Sequence, residues 1–413
     1  MHIKELNGKK VCILGYGREG KAMEQALKKF APQASITIRD EKEDADYLRS
    51  LDQFDVIIRS PGIPPKPEFE EVAERITNAT NIFFHSIPSE TVVIGVTGSK
   101  GKSTTSSLIH SIIRDGGREA LLVGNIGDPA MTHLDNITPQ TIIVMELSSF
   151  QLLHARKSPH IAVITSFFPE HLDYHSTVER YQDAKKNITR FQQKGDFVFC
   201  AISSPEGRII AHESAGTIVE YSEEDAPVSL VETHLIGDHN LRNIAGAWKV
   251  AELLGIPKKV AIEAIRMFKG LPHRLELFGK HHGIEWVNDS ISTNPHATIE
   301  ALNALGERVT TLILGGKDRG FDYTGLAHRI AQSPITHIIL LGETAPRIHE
   351  ALTKACYQGN ISRVKDLHEA VSLIKHKPLP SLVLLSPASP SFDQFKNFEE
   401  RGETFKRYIL QDS

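Results

Sequence analysis

The run Thr97-Gly98-Ser99-Lys100-Gly101-Lys102-Ser103-Thr104 lies directly after the apolar stretch Thr91 to Val96 and directly before a helix-period segment, Thr105 to Arg114. A strand feeding a glycine-rich loop that opens a helix aims backbone N–H groups and the helix N-terminus at one point, the geometry that cradles phosphate. Gly98, Ser99, Lys100, Gly101, Lys102, Ser103 and Thr104 are therefore candidate triphosphate contacts, with Lys102 neutralising the terminal phosphates and Ser103 ligating magnesium. The loop is shorter than G-x-x-x-x-G-K-[ST], because the position five before Gly101 is Val96; Gly98 takes the part of the first glycine.

Two more side chains reach the same rim. Glu146 ends the apolar run Thr141 to Met145, where a magnesium-holding acid belongs beside a phosphate-loop strand. His171, in Pro169-Glu170-His171-Leu172-Asp173, follows the strand expected over His160 to Thr165. Lys185 falls on a helix and reads, on its own, as a solvated surface charge.

Nearer the N-terminus, Gly15, Gly17 and Gly20 form G-x-G-x-x-G after a strand, and Asp40 follows at about 20 residues, the spacing of a dinucleotide fold. Alone, this predicts an NAD-dependent dehydrogenase that binds nicotinamide and needs no ATP. The unit is short, however, and a separate triphosphate loop follows it. A glycine turn holds the diphosphate of a nucleotide-sugar equally well, and Ser60-Pro61-Gly62 supplies a further backbone contact at another strand end.

Positioning these residues takes three α/β series. Strands are expected at Val11 to Leu14, Ser35 to Arg39 and Val56 to Ile58, with helices at Lys21 to Phe30 and Phe69 to Ile76. The second series runs from Thr91 through Glu119 to Val123, Thr141 to Met145 and His160 to Thr165. The third comprises Ile284 to Val287, Val309 to Leu314, His337 to Leu341 and Ser381 to Leu385. Punctuation by Pro, Gly and Ser places domains at 1–87, 88–270 and 271–413.

Bulk composition narrows the function further. With 47 basic against 51 acidic side chains, a net charge of -4 offers no footprint for nucleic acid. Cys12, Cys200 and Cys356 are few and scattered, which argues against disulfides and zinc and for a reducing cytoplasm. No apolar run approaches the ~18 residues of a membrane helix.

Taken together, Thr97 to Thr104, Gly124-Asn125-Ile126-Gly127, Glu146 to Gln151, Glu170 to Asp173, Tyr181 to Lys185 and Gly237-Asp238-His239-Asn240 through Asn243 resemble the ATP-dependent Mur ligases. Gly270 to Arg274, Asn288-Asp289-Ser290 and Ser386 to Phe398 extend the likeness over nearly the whole chain and bring it closest to members that add D-glutamate. The resemblance implies an α/β fold of three domains: a Rossmann-like N-terminal domain for a UDP moiety, a central P-loop ATPase-type parallel-sheet domain, and a C-terminal Rossmann-like domain for the incoming amino acid.

The implied reaction joins D-glutamate to UDP-N-acetylmuramoyl-L-alanine through an acyl phosphate made from ATP, in peptidoglycan precursor synthesis by a cytoplasmic monomer. By match to the family, Lys102, His171 and Lys185 are catalytic. Two magnesium ions are implied on Ser103, Glu146, His171 and Lys185, the lysine being carbamylated. Asn243, Arg274 and Asp289 are implied on ATP. Gly15, Tyr16, Gly17, Arg18, Glu19, Asp40, Ser60, Gly62, Asn125 and His171 are implied on the UDP substrate, and Arg319, Ser391 and Phe398 on glutamate. One departure stands near the acceptor: many D-glutamate-adding members carry Asn-Asp-Ser-Lys-Ala-Thr-Asn where this chain has Asn288-Asp289-Ser290-Ile291-Ser292-Thr293-Asn294. Losing that cation leaves L-glutamate as the competing acceptor.

Overall fold

The computed structural model describes residues 1–375 and 382–411. They form two compact units, one of Met1–Ser229 with His239–Arg266, the other of Leu230–Asp238 with Met267–Ser413.

The first unit holds two parallel sheets. In the smaller, β1 (Lys10–Leu14), β2 (Ser35–Arg39), β3 (Val56–Arg59) and β4 (Ile76–Thr77) lie in the order β2-β1-β3-β4. Apart from Lys10, β1 is buried along its length, the pattern of a parallel strand covered on both faces. The helix Arg18–Phe30 covers one face with Ala22, Met23, Ala26 and Leu27, one apolar stripe at helical spacing. The helix expected over Phe69 to Ile76 does not form: two 3-10 turns, Pro67–Phe69 and Ala73–Arg75, replace it, and Ile76 opens β4. Only Phe69 and Val72 are buried there, too little apolar surface to offset the cost of nucleating a helix, while Ile76 and Thr77 pair with Ile57 and Ile58.

The larger sheet runs β10-β9-β8-β5-β7-β6, built from β5 (Val93–Thr97), β6 (Ala120–Gly124), β7 (Ile142–Glu146), β8 (Ile161–Ile164), β9 (Phe197–Ala201) and β10 (Thr217–Tyr221). All its pairings are parallel. The last two strands extend the series beyond the expected set. Central β5 pairs Val96 with Glu146 of β7 and Thr97 with Ile164 of β8, so three strands deliver their C-terminal ends to one edge. The helix Lys102–Asp115 starts immediately after the loop from β5. The two sheets share an apolar core that runs from Ile3 and Leu27 through Phe83 and Phe84 to Met131 and Leu147.

The second unit carries β11 (Glu276–His281), β12 (Ile284–Asn288), β13 (Thr311–Gly315), β14 (His337–Leu341), β15 (Asn360–Arg363) and β16 (Leu382–Leu385), ordered β11-β12-β16-β13-β14-β15. The unanticipated β11 is antiparallel to β12 and carries a register shift between Leu277 and Gly279. β15 was likewise outside the expected series. The strand expected from Ser381 is present from Leu382; Ser381 lies outside the described residues.

Gly15 sits at φ 91, a left-handed conformation that favours glycine, and a Cβ on Gly20 would collide with the Gly15 carbonyl oxygen. Gly20→Ala is expected to lower stability by about 1–3 kcal/mol, because backbone cannot yield as a side chain does. Urea unfolding of the variant checks this against Gly17→Ala, whose Cβ meets nothing within 4 Å.

Candidate active site

The phosphate loop is built on two glycines that no other residue replaces. Gly98 (φ 154) and Gly101 (φ 86) have positive φ, and a Cβ at either would run into Thr165 Oγ1 or Asn243 Oδ1 respectively. Ser99 accepts at Oγ from the Phe168 N–H (2.9 Å) and lies 3.0 Å from the Tyr181 hydroxyl. The Lys100 N–H donates to Ser166 Oγ at 2.9 Å, and its ammonium pairs with Glu170 at 2.7 Å. Thr165 and Ser166, which hold the loop through the Lys100 carbonyl, escaped the sequence reading. Their only sequence signal is position at the end of a strand.

Two lysines converge on one oxygen. Lys102 Nζ donates to the carbonyls of Gly98 (2.9 Å) and Ser99 (2.8 Å), while Lys185 Nζ donates to the same Gly98 carbonyl at 2.9 Å and to Thr97 Oγ1 at 3.3 Å. Lys185 is thus no solvated surface charge: it is 1% exposed, with its ammonium 4.9 Å from the centre of the Tyr181 ring. Burial first, and the Lys102 charge second, push its pKa well below the ordinary amine range, against the pull of Glu170 and Glu146.

Glu146 is buried at the end of β7. Asn125 Nδ2 donates to its Oε1 at 2.7 Å, while Oε2, shielded from solvent, has no hydrogen-bond partner. A buried carboxylate oxygen without a donor is destabilised unless a cation meets it, so this atom fits a magnesium ligand. Among the described residues no three His, Cys, Asp or Glu side chains gather as a metal cage. His171 caps a short helix from a left-handed backbone (φ 57) and meets Phe150 edge-on at 4.9 Å and Tyr181 at 6.1 Å. Asn243, on the helix His239–Leu253, accepts from Thr105 at 3.3 Å, which sets it against the loop.

In the smaller sheet, Asp40 ties down the glycine turn by accepting from the backbone N–H groups of Tyr16 (2.6 Å) and Lys42 (3.0 Å), which holds its carboxyl below the usual range. Ser60 Oγ donates to the Gly15 carbonyl at 2.7 Å. Gly17 and Gly62 have open space where a side chain would begin. Arg18 donates to the Gly127 carbonyl at 2.9 Å, and Glu19 turns its carboxyl to Gln151, which donates at 2.7 Å.

Within the second unit, Asp289 is buried and accepts from Ser386 Oγ (2.8 Å), Ser292 Oγ and the Leu275 N–H (3.1 Å); burial raises its pKa to about 6. Arg274 is exposed; nearby, Glu276 is engaged by Lys406 at 3.0 Å and by the His273 N–H at 2.8 Å. Arg319 stands over the exposed Phe392 ring at 5.9 Å. Ser391 is buried, and Phe398 opens the helix Phe398–Leu410. Lys317, two residues before Arg319, is paired with Glu343 at 2.7 Å.

A glycine loop gripped between β5 and β8, with an acid, a histidine and a buried lysine on the same edge, defines a phosphate-loop α/β protein with a magnesium-compatible rim. The Mur ligase middle domain matches residues 96–230, and the Mur ligase glutamate ligase domain matches residues 273–389. The chain belongs to the Mur ligase family. It is 37% identical to the UDP-N-acetylmuramoylalanine--D-glutamate ligase of Symbiobacterium thermophilum, over 88% of this chain and 85% of that protein. It is also 32% identical to a UDP-N-acetylmuramoyl-L-alanine--L-glutamate ligase of Xanthomonas axonopodis pv. citri, over 98% and 96% respectively. Its fold is similar to that of the MurF ligase from Thermotoga maritima solved with ADP, at a TM-score of 0.58 and 16% identity, over 99% of this chain and 96% of that one.

Beside the site, burial pushes His154 and His175 down to about 4, with nearby positive charge adding to the effect. The unfolded chain takes up these protons near pH 6.5, the folded chain only near 4, so their contribution is intact above pH 6.5 and is lost as pH falls through that window. The urea midpoint is expected to drop between pH 6.5 and 4, and His154→Gln to flatten the drop.

Proposed function

We propose that this chain is an ATP-dependent amide ligase that joins D-glutamate to UDP-N-acetylmuramoyl-L-alanine. The observation that carries the reading is the meeting of Lys102, Lys185, Glu146 and the phosphate loop on one edge of the larger sheet. A carboxylate is a poor electrophile and gathers negative charge as it approaches the γ-phosphate. In this reading Lys102 leaves the Gly98 and Ser99 carbonyls for the terminal phosphates and offsets that charge. An oxygen of the alanyl carboxylate attacks the γ-phosphorus as the bond to ADP breaks, and the uncharged amine of glutamate then attacks the acyl carbon of the resulting acyl phosphate and gives up a proton. An amide forms as phosphate departs.

Ser103 and Glu146 would hold one magnesium ion, and His171 and Lys185 a second, which when bound screens the phosphate charges. Lys185 as a neutral amine would add CO2 through its nitrogen and release a proton to solvent, becoming an oxygen-donor carbamate, a hard ligand suited to magnesium. The Gly15–Gly20 turn, Asp40 and Ser60 are assigned to the UDP moiety, with Arg18, Glu19 and Asn125 bordering it. Asn243, Arg274 and Asp289 are assigned to ATP, and Arg319, Ser391 and Phe398 to glutamate. No described helix is long and apolar enough to cross a membrane. The C-terminal motif Ser386 to Phe398 favours D-glutamate, whereas Ile291 keeps L-glutamate as the second reading.

Phosphate release from ATP with UDP-N-acetylmuramoyl-L-alanine is expected with D-glutamate and not with L-glutamate or D-aspartate; release with L-glutamate alone selects the second reading, and release with neither enantiomer overturns both. Lys185→Ala is expected to lose activity and any response to bicarbonate, and to regain part of that activity with short carboxylates such as acetate. Unchanged bicarbonate response would remove the carbamate.

A further inference from the structure

Arg59, the last residue of β3, is 4% exposed and no carboxylate pairs with it among the described residues. Its donors are spent on neutral groups: Nε and Nη2 on the Ile63 carbonyl (2.9 Å for Nε), Nη2 also on the Tyr174 hydroxyl at 2.8 Å, and Nη1 on His154 Nε2 at 2.8 Å. The Tyr174 hydroxyl itself donates to the Ile63 carbonyl at 2.8 Å, and the guanidinium lies 5.2 Å from the Phe69 ring centre. Burying a guanidinium without an anion is costly, and an apolar side chain filling the same space would be expected to cost less. Stability alone therefore does not account for arginine at this position.

What the guanidinium joins is informative. On one side Ser60, the next residue, is fastened to the glycine turn through its N–H to Leu14 and its hydroxyl to Gly15. On the other, Tyr174 packs on Phe150 at 4.2 Å, Phe150 packs on His171 at 4.9 Å, and the Tyr174 N–H donates to the His171 carbonyl at 3.1 Å. His171 holds a left-handed backbone conformation, uncommon for a residue other than glycine, and the contacts from Tyr174 and Phe150 fix it there.

We propose that Arg59 is a positioning residue, which registers the nucleotide-sugar turn against His171 so that the delivered carboxylate meets the γ-phosphate in line. The inference rests on the ligase reading above. Misplacement by about 1 Å is enough to cost roughly 100-fold in rate, whereas binding of either nucleotide need not change.

The test uses the full chain with Arg59→Met, Arg59→Lys, Tyr174→Phe and the Arg59→Met/Tyr174→Phe double variant. Arg59→Met is expected to lower kcat roughly tenfold or more at a near-constant KM for ATP. It should also release more phosphate than amide, as water captures a misaligned acyl phosphate. Arg59→Lys should recover part of kcat, and the double variant should be no worse than Arg59→Met, since both act through one contact. A second readout needs no turnover: UDP alone is expected to shift the His171 imidazole NMR signals in the wild type, and not in Arg59→Met at saturating UDP. Wild-type kcat and coupling in Arg59→Met, strictly additive losses, or an unchanged UDP-induced shift would each overturn the proposal. An inactive wild type that still transmits the UDP shift through Arg59 would overturn the ligase reading and leave the registration standing.

Discussion

Two ammonium groups, those of Lys102 and Lys185, share the carbonyl oxygen of Gly98. Burial above all, and the neighbouring Lys102 charge after it, lead Lys185 to favour its neutral form. The arrangement exists because Gly98 adopts a conformation that turns its carbonyl toward both amines, and because a side chain there would collide with Thr165. Anionic ligands relieve such a site, so the loop's electrostatics are themselves a reason to bind a triphosphate.

That focus depends on sheet order. β5 lies between β7 and β8, which brings Glu146 and the segment leading to His171 beside the loop without any contact close in sequence. Ligands of open α/β sheets gather at such carboxyl ends, where backbone groups face outward and side chains of adjacent strands converge. The Glu146 oxygen left without a donor is a position on this edge that a cation would satisfy.

The smaller sheet is joined to the larger one by a shared apolar core and, beside it, by directional polar contacts. Gln151 caps its own helix by accepting from Ser148, and also joins Glu19 and Asn78. In the second unit Arg401 plays a comparable part: buried, it donates to Ser290 Oγ (3.0 Å), to the Ser290 carbonyl (2.8 Å) and to the Ser389 carbonyl (3.0 Å). Loops that carry reactive groups are thus held by polar hubs, which fix direction where apolar packing fixes only distance.

The phosphate loop, the glycine turn and most strands were legible in the chain because each rests on residues adjacent in sequence: positive φ asks for glycine, and covered parallel strands ask for unbroken apolar runs. The helix misjudged at Phe69 shows the limit, since a locally acceptable pattern lost to pairing with β3. Lys185 shows it more sharply. Whether a helical lysine meets water or a carbonyl depends on which face packs against β5, and no local pattern encodes that. Likewise, Arg59 reads as an ordinary strand-end cation until Tyr174 and His154, about a hundred positions away, close over it. Local backbone geometry belongs to the sequence itself; burial, and with it every altered proton affinity near the site, belongs to the tertiary fold, because desolvation is a property of what surrounds a group rather than of its neighbours along the chain.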